Sequence, residues 1–189
     1  MNEMNLIDFT KSSERTLSGG GLKIYGQPQI NLLHSAIGVS TEVGEIVEAV
    51  KDKEKHEVDV VNMSEEGADV VWYLAIPIRD YALDFGKLNS LAPDEFVLPQ
   101  LIVDSAEYLD MMKKVAFYGK PVDRNVVDNH VTNLYAHMIN MAFHYGFNLG
   151  LALANNQDKL RKRFPEKFEG FHALNRNLDA ERTELEKGM

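Results

Sequence analysis

Residues 40–50, STEVGEIVEAV, and residues 63–75, MSEEGADVVWYLA, decide how this chain is read. Each carries two acids three positions apart, Glu42 and Glu45 in the first and Glu66 and Asp69 in the second. Three residues is close to one helical turn, so each pair projects from one face of its helix. At ~100° per residue, Glu42 lies ~40° from Ile46, while Glu66 lies ~40° from Val70 and ~20° from Tyr73. The acids therefore border apolar stripes instead of occupying a plain solvent face. A carboxylate beside a core is costly unless it is paired or holds a metal. A lone ExxE is common on solvated helices. Two such pairs adjoining apolar runs, with no Lys or Arg within a turn of the second, point to a divalent cation. All-oxygen ligation suits a hard ion, Mg²⁺ with Mn²⁺ as a substitute.

Working outward, the helical period is clear from Ile30. Leu32, Ala36, Val39, Val43, Ile46 and Val50 recur at alternating fours and threes, a buried seam. Ser35, Gly38, Ser40 and Gly44 between them permit close helix approach. The run 51–57 reads as a solvated connection. Ser64 reads as the N-cap of the next helix, Pro77 as its kink or end, and Gly86 as the stop of any continuation. Further helices are expected at 101–118, 126–145 and 149–164, closed by Gly119-Lys120-Pro121, Gly146 and Pro165. The charged stretch 170–189 predicts a surface helix or a frayed end. Nothing alternates with the period of a strand, so the expected fold is all-α. The expected organisation is an N-terminal extension (1–29), a metal-binding helical half (30–88), a linker (89–100), a second helical half with a basic helix (101–168) and a tail (169–189). The stretch Ser18-Gly19-Gly20-Gly21 reads as a flexible joint. No Gly-Lys-Ser/Thr follows it, so it does not read as a phosphate loop.

Bulk properties narrow the function. The 189 residues are enough for one sizeable core, and the net charge of −9 argues against a basic face for a nucleic-acid polymer. The absence of Cys removes thiol chemistry and disulfides and fits a reducing, cytoplasmic setting. No window is long and apolar enough to span a membrane, and residues 1–10 lack a signal pattern.

Two weaker patterns accompany the acids. A shift of 65 places Glu42 and Glu45 on Glu107 and Asp110, and a shift of 64 places Glu66 and Asp69 on His130 and Asn133. The second half thus reads as a relative of the first with half its acids replaced, and two helix pairs make a four-helix bundle. Asn156, Lys159 and Arg163 share one face of the last helix, which suits a polyphosphate beside a metal; alone they would read as a basic C-terminal turn. His130, Asn133, His137, Asn140 and His144 form a polar stripe. It reads as a solvated seam or a hydrogen-bonded network, with a nucleobase or sugar pocket as the alternative.

The segments LLHSAIGVSTEVGEIVEAVK (32–51), EEGADVVWYLA (65–75), KKVAFYGKPVD (113–123) and NNQDKLRKRFP (155–165) together resemble the MazG-like all-α nucleoside triphosphate pyrophosphohydrolases, relatives of dimeric dUTPases and phosphoribosyl-ATP pyrophosphohydrolases. The resemblance implies Mg²⁺-dependent cleavage of a nucleoside triphosphate to monophosphate and pyrophosphate. It implies Glu42, Glu45, Glu66 and Asp69 as metal ligands, with Glu42 or Glu45 as general base. Asn156, Lys159 and Arg163 become phosphate or nucleotide contacts. Lys120, in the GKP segment, is a further substrate contact, and His137, Asn140 and Trp72 are candidates for the base or sugar. Separately, the apolar seams of the bundle suggest a homo-oligomer, dimer or tetramer. In the simple family pattern the FYGKP-like segment lies between the acidic pairs, whereas here it follows both. This order reads as a fused tandem in which one half keeps the metal and the other supplies basic groups. The competing readings are a nucleotide hydrolase with another cleavage site and a helical nucleotide-binding or interaction protein without turnover.

Overall fold

The computed structural model describes residues 21–52, 58–166 and 169–188. The joint at 18–20 and the connection at 53–57 lie outside them. Among the described residues the fold is all-α, with eight helices and no strand. They are α1 (Gln27–Asp52), α2 (Val60–Asp80), α3 (Phe85–Asn89), α4 (Leu98–Tyr118), α5 (Arg124–Tyr145), α6 (Leu149–Arg163), α7 (Gly170–Leu174) and α8 (Leu178–Leu185).

Most boundaries follow from local chemistry. Asp123 caps α5 through the amide of Asn125, and Asn148 caps α6 through that of Leu151. Gly119 and Gly146 stop α4 and α5 in the left-handed conformation, at φ 72° and 75°. Two expectations are corrected. The N-cap of α2 is Asp59, whose carboxylate accepts from the Asn62 amide at 3.1 Å. Ser64 lies inside the helix, with Oγ donating to the Val61 carbonyl at 2.8 Å. An acceptor one turn earlier satisfies the free amides, so the cap falls there. Gly86 is not a helix stop either: α2 ends at Asp80, three residues after Pro77, and Gly86 lies inside the separate helix α3, capped by Asp84.

The four long helices close a ring in which α1 packs on α2 and α4, and α5 packs on α2 and α4. The α1 seam, Leu32, Ala36, Val39, Val43 and Ile46, is at most 3% exposed. It meets Met63 and Leu74 of α2, Leu101, Tyr108 and Met112 of α4, and Leu134, Met138 and Met141 of α5 in one core. Tyr108 is fully buried and shares a hydrogen bond of 2.9 Å with Ser35, which satisfies both hydroxyls inside the core. Ser40 donates to the Ser105 carbonyl, so the α1–α4 contacts run antiparallel.

The fifth long helix, α6, packs outside the ring against α2 and carries α8 on its other side. The tail is therefore not a frayed end. Leu185 is 3% exposed, and Asn155 Nδ2 donates to the carbonyls of Leu185 and Lys187 at 3.0 and 2.9 Å. Arg182 pairs with Asp59 at 2.8 Å, tying α8 to the start of α2. Charge density concealed this docking from the sequence reading, because the buried face of α8 is built largely from the paired acids Glu181 and Glu184.

Candidate functional site

Antiparallel packing of α1 on α2 brings their acids together. One carboxylate oxygen each from Glu42, Glu45 and Glu66 lies within 4.8 Å of the others. Glu66 is only 6% exposed, Glu42 is half-buried and Glu45 is open to solvent. The electrostatic cost is evident. Burial first, then the charges of Asp69 and Glu45, push the Glu42 carboxyl up to about 7. Burial, with Glu45, Glu65, Glu42 and Asp69 around it, pushes Glu66 up to about 9. Without a cation, Glu66 keeps its proton at neutral pH and Glu42 is drawn toward its neutral form.

Asp69 sits differently from its three companions. Its Oδ1 accepts from Asn156 Nδ2 at 2.6 Å and its Oδ2 from Lys159 Nζ at 2.7 Å. Lys159 also reaches Glu65 Oε1 at 3.0 Å and is 1% exposed. The sequence expectation of four convergent acids thus resolves into three that cluster and a fourth whose charge α6 neutralises. Asn156 and Lys159 are buried behind the acids and do not line the cavity. Asn156 Oδ1 is buried with no hydrogen-bond partner, because its amide turns the donor end toward Asp69.

The acids open onto a cavity of about 870 Å³ between α1, α2, α6 and the tail. Glu42, Glu45, Glu66 and Asp69 form one side of it, and Arg161, Arg163 and Arg176 contribute cations. Trp72 lines it with His34 and Tyr73, whose rings meet edge to face at centroid distances of 5.0 to 6.4 Å. This aromatic group depends on Gly38. A Cβ there would collide with the Tyr73 ring, so only glycine lets the ring lie flat on α1.

Three expected substrate residues lie elsewhere. Lys120 is exposed beyond the end of α4 and does not line the cavity. His137 is buried, and its Nε2 meets Asp104 Oδ2 at 2.7 Å, joining α5 to α4. Asn140 of the polar stripe also fastens structure. Asn140 accepts from the Asp94 amide at 2.8 Å and donates to the Glu95 carbonyl at 3.3 Å, while His144 packs on Phe96. The hydrogen-bonded network describes His137 and Asn140, whereas Asn133 and His144 are exposed, as a solvated seam would have them.

No family model, curated protein or solved structure matches this chain. The functional reading therefore rests on the site.

Sequence reasoning overlooked Glu65, Arg176 and Glu181. Glu65 was visible beside Glu66, but its neutralisation by a lysine on α6 is a tertiary fact. Arg176 and Glu181 lie in the tail, where the only signal was their opposite charge at a spacing of five.

Proposed function

We propose that this protein is a divalent-cation-dependent nucleoside triphosphate pyrophosphohydrolase of the MazG-like kind, releasing monophosphate and pyrophosphate. The observation that carries the proposal is the convergence of Glu42, Glu45 and Glu66 on a shared cavity that arginines also enter. The donor set fits a hard cation. It is all oxygen, and its charges are held so close that two of the carboxyls are forced toward their neutral forms. Mg²⁺ held there would offset the triphosphate's charge and act as a Lewis acid toward it.

The remaining work falls to the chain. Asn156 and Lys159 fix Asp69 and Glu65, which keeps α2 and α6 in register beside the acids. Glu45, the exposed member of the trio, accepts a proton as water attacks the α-phosphorus and the bond to the pyrophosphate oxygen breaks. Arg163, on the cavity wall, stabilises the charge that develops on the departing pyrophosphate. The rings of His34, Trp72 and Tyr73 offer an apolar edge to the nucleoside.

A cytoplasmic setting and a homo-oligomer belong to the same proposal. The latter is supported by exposed Ile37 on α1 and Ile102 and Val103 on the neighbouring α4. The described helices include none long and apolar enough to cross a membrane. The test is chromatographic: canonical and modified dNTPs are incubated with Mg²⁺, and the products are separated. Monophosphate with pyrophosphate supports the assignment. Diphosphate with orthophosphate, or no turnover with either Mg²⁺ or Mn²⁺, rejects it.

A further inference from the structure

The tail brings two guanidinium groups onto one buried carboxylate. Arg163, at the end of α6, donates through Nε to Glu181 Oε1 at 2.9 Å and through Nη2 to Oε2 at 2.6 Å. Arg176, between α7 and α8, donates to Oε2 through Nε at 3.1 Å and through Nη2 at 2.7 Å. Glu181 is 3% exposed, so its burial depends on these charged donors. One arginine would neutralise it. The second leaves the trio with net positive charge, and both arginines line the cavity that the acids share. Among the described residues neither Nη1 makes a hydrogen bond, so each guanidinium keeps an unused donor edge. Arg176 Nη2 also lies 3.7 Å from Glu65 Oε1, which places it beside the acidic wall.

We propose that Arg163, Glu181 and Arg176 form a preorganised clamp for the terminal phosphates of a polyphosphate ligand, and that the segment 169–188 is thereby part of the site. Arg176 contacts the ligand, and Glu181 is a positioning residue that holds both guanidiniums in their fork geometry. Two arginines free in solvent would lose side-chain entropy on closing over a phosphate. Locked on a buried acid, they have already lost it. Docking of α8 on α6 then serves a purpose beyond stability, since it holds Glu181 in reach of Arg163. That the polyphosphate is a nucleotide's rests on the hydrolase reading; the clamp itself requires only adjacent anionic phosphates.

The experiment separates the two. Binding of inorganic tripolyphosphate with Mg²⁺ is followed by calorimetry, and kcat and KM are measured on the best-hydrolysed dNTP. R176A is expected to weaken tripolyphosphate binding at least tenfold, on the order of one lost charge-assisted bidentate contact, and to raise KM more than it lowers kcat. E181Q is expected to do the same, while R176K recovers part of the loss. Arg182→Ala loosens the anchor of α8 to Asp59 without touching the cavity, and is expected to leave both readouts within twofold. Equal tripolyphosphate binding by wild type and R176A overturns the clamp, as does an R182A defect equal to that of R176A. Tripolyphosphate binding that depends on Arg176, in a protein that turns over no nucleotide, supports the clamp and removes the hydrolase reading alone.

Discussion

The two helix pairs of the ring solve the same electrostatic problem in opposite ways. In the α1–α2 pair, Glu42, Glu45 and Glu66 converge, and two of them are driven toward their neutral forms. In the α4–α5 pair, the positions reached by shifts of 65 and 64 are Glu107, Asp110, His130 and Asn133. There Asp110 is met by Lys113 and Lys114 from its own helix, and those ammonium groups hold its carboxyl down at about 2. His130 lies half-buried against Tyr108, and burial pushes its pKa down. Lysines of its own helix therefore meet Asp110, and the exposed Glu107 is left to solvent, whereas the first pair is left for a ligand to neutralise. Acids that a chain leaves uncompensated, at a cost to its own stability, mark a site more reliably than acids that are merely numerous.

The comparison is broken or sharpened by substitution. The largest effect is expected for Glu45→Gln, which should lower pyrophosphate release by about 10²–10⁴-fold, the range of a lost general base, with an unchanged circular dichroism spectrum. Its counterpart Asp110→Asn should leave the rate within twofold; comparable losses in both would erase the distinction between the pairs. Next comes Lys159→Met, which strands Asp69 and Glu65. Chemical denaturation should show a loss of about 3 kcal/mol, at the lower end for a broken buried pair because both acids retain some contact with water. Lys113→Met, on a solvated pair, should leave the denaturation midpoint almost unmoved.

A smaller effect is expected from pH. Glu42 and Glu66 titrate near 7 and 9 in the folded chain, against an ordinary 4.5, so the folded state binds more protons between these limits. Stability free of divalent ions should be greatest near pH 5 and fall as pH rises through 7 toward 9. The melting temperature would drop by about 2–4 °C for each kcal/mol lost. Mg²⁺ should restore more of it at pH 8.5 than at pH 5.5, and Glu66→Gln should flatten the profile. A melting temperature that rises across this interval without metal would contradict the account. The smallest effect concerns two glycines of α1. Gly44 has open space where a Cβ would stand, so Gly44→Ala should stabilise by about 0.5–1 kcal/mol through helix propensity. Gly38→Ala must displace Tyr73 and should destabilise instead, a difference that thermal melts of the two variants will read directly.

Much of this was legible before any coordinates. The seam from Leu32 to Ile46, the glycines that end α4 and α5 and the proline after α6 are local signals, and they placed the long helices to within a few residues. The ExxE and ExxD spacings likewise placed acids on helix faces beside apolar residues, since helical periodicity is a property of the chain alone. What spacing cannot contain is the identity of the facing partner. Asp69 has the same register to Glu66 as Glu45 has to Glu42, yet Asn156 and Lys159 occupy both its oxygens because α6 packs beside that turn of α2. His137 and Lys120 looked as eligible as Trp72, and only the path of the chain sets Trp72 alone among them on the cavity. The tail, read as a surface helix or a frayed end because it is charged, is anchored because Glu181 meets Arg163 of α6 and Arg182 meets Asp59 before α2. Sequence by itself determined which faces were apolar and where charge stood upon them. Tertiary structure decided which charges met a counter-charge, because electrostatic energy depends on distances between elements that no single helix encodes.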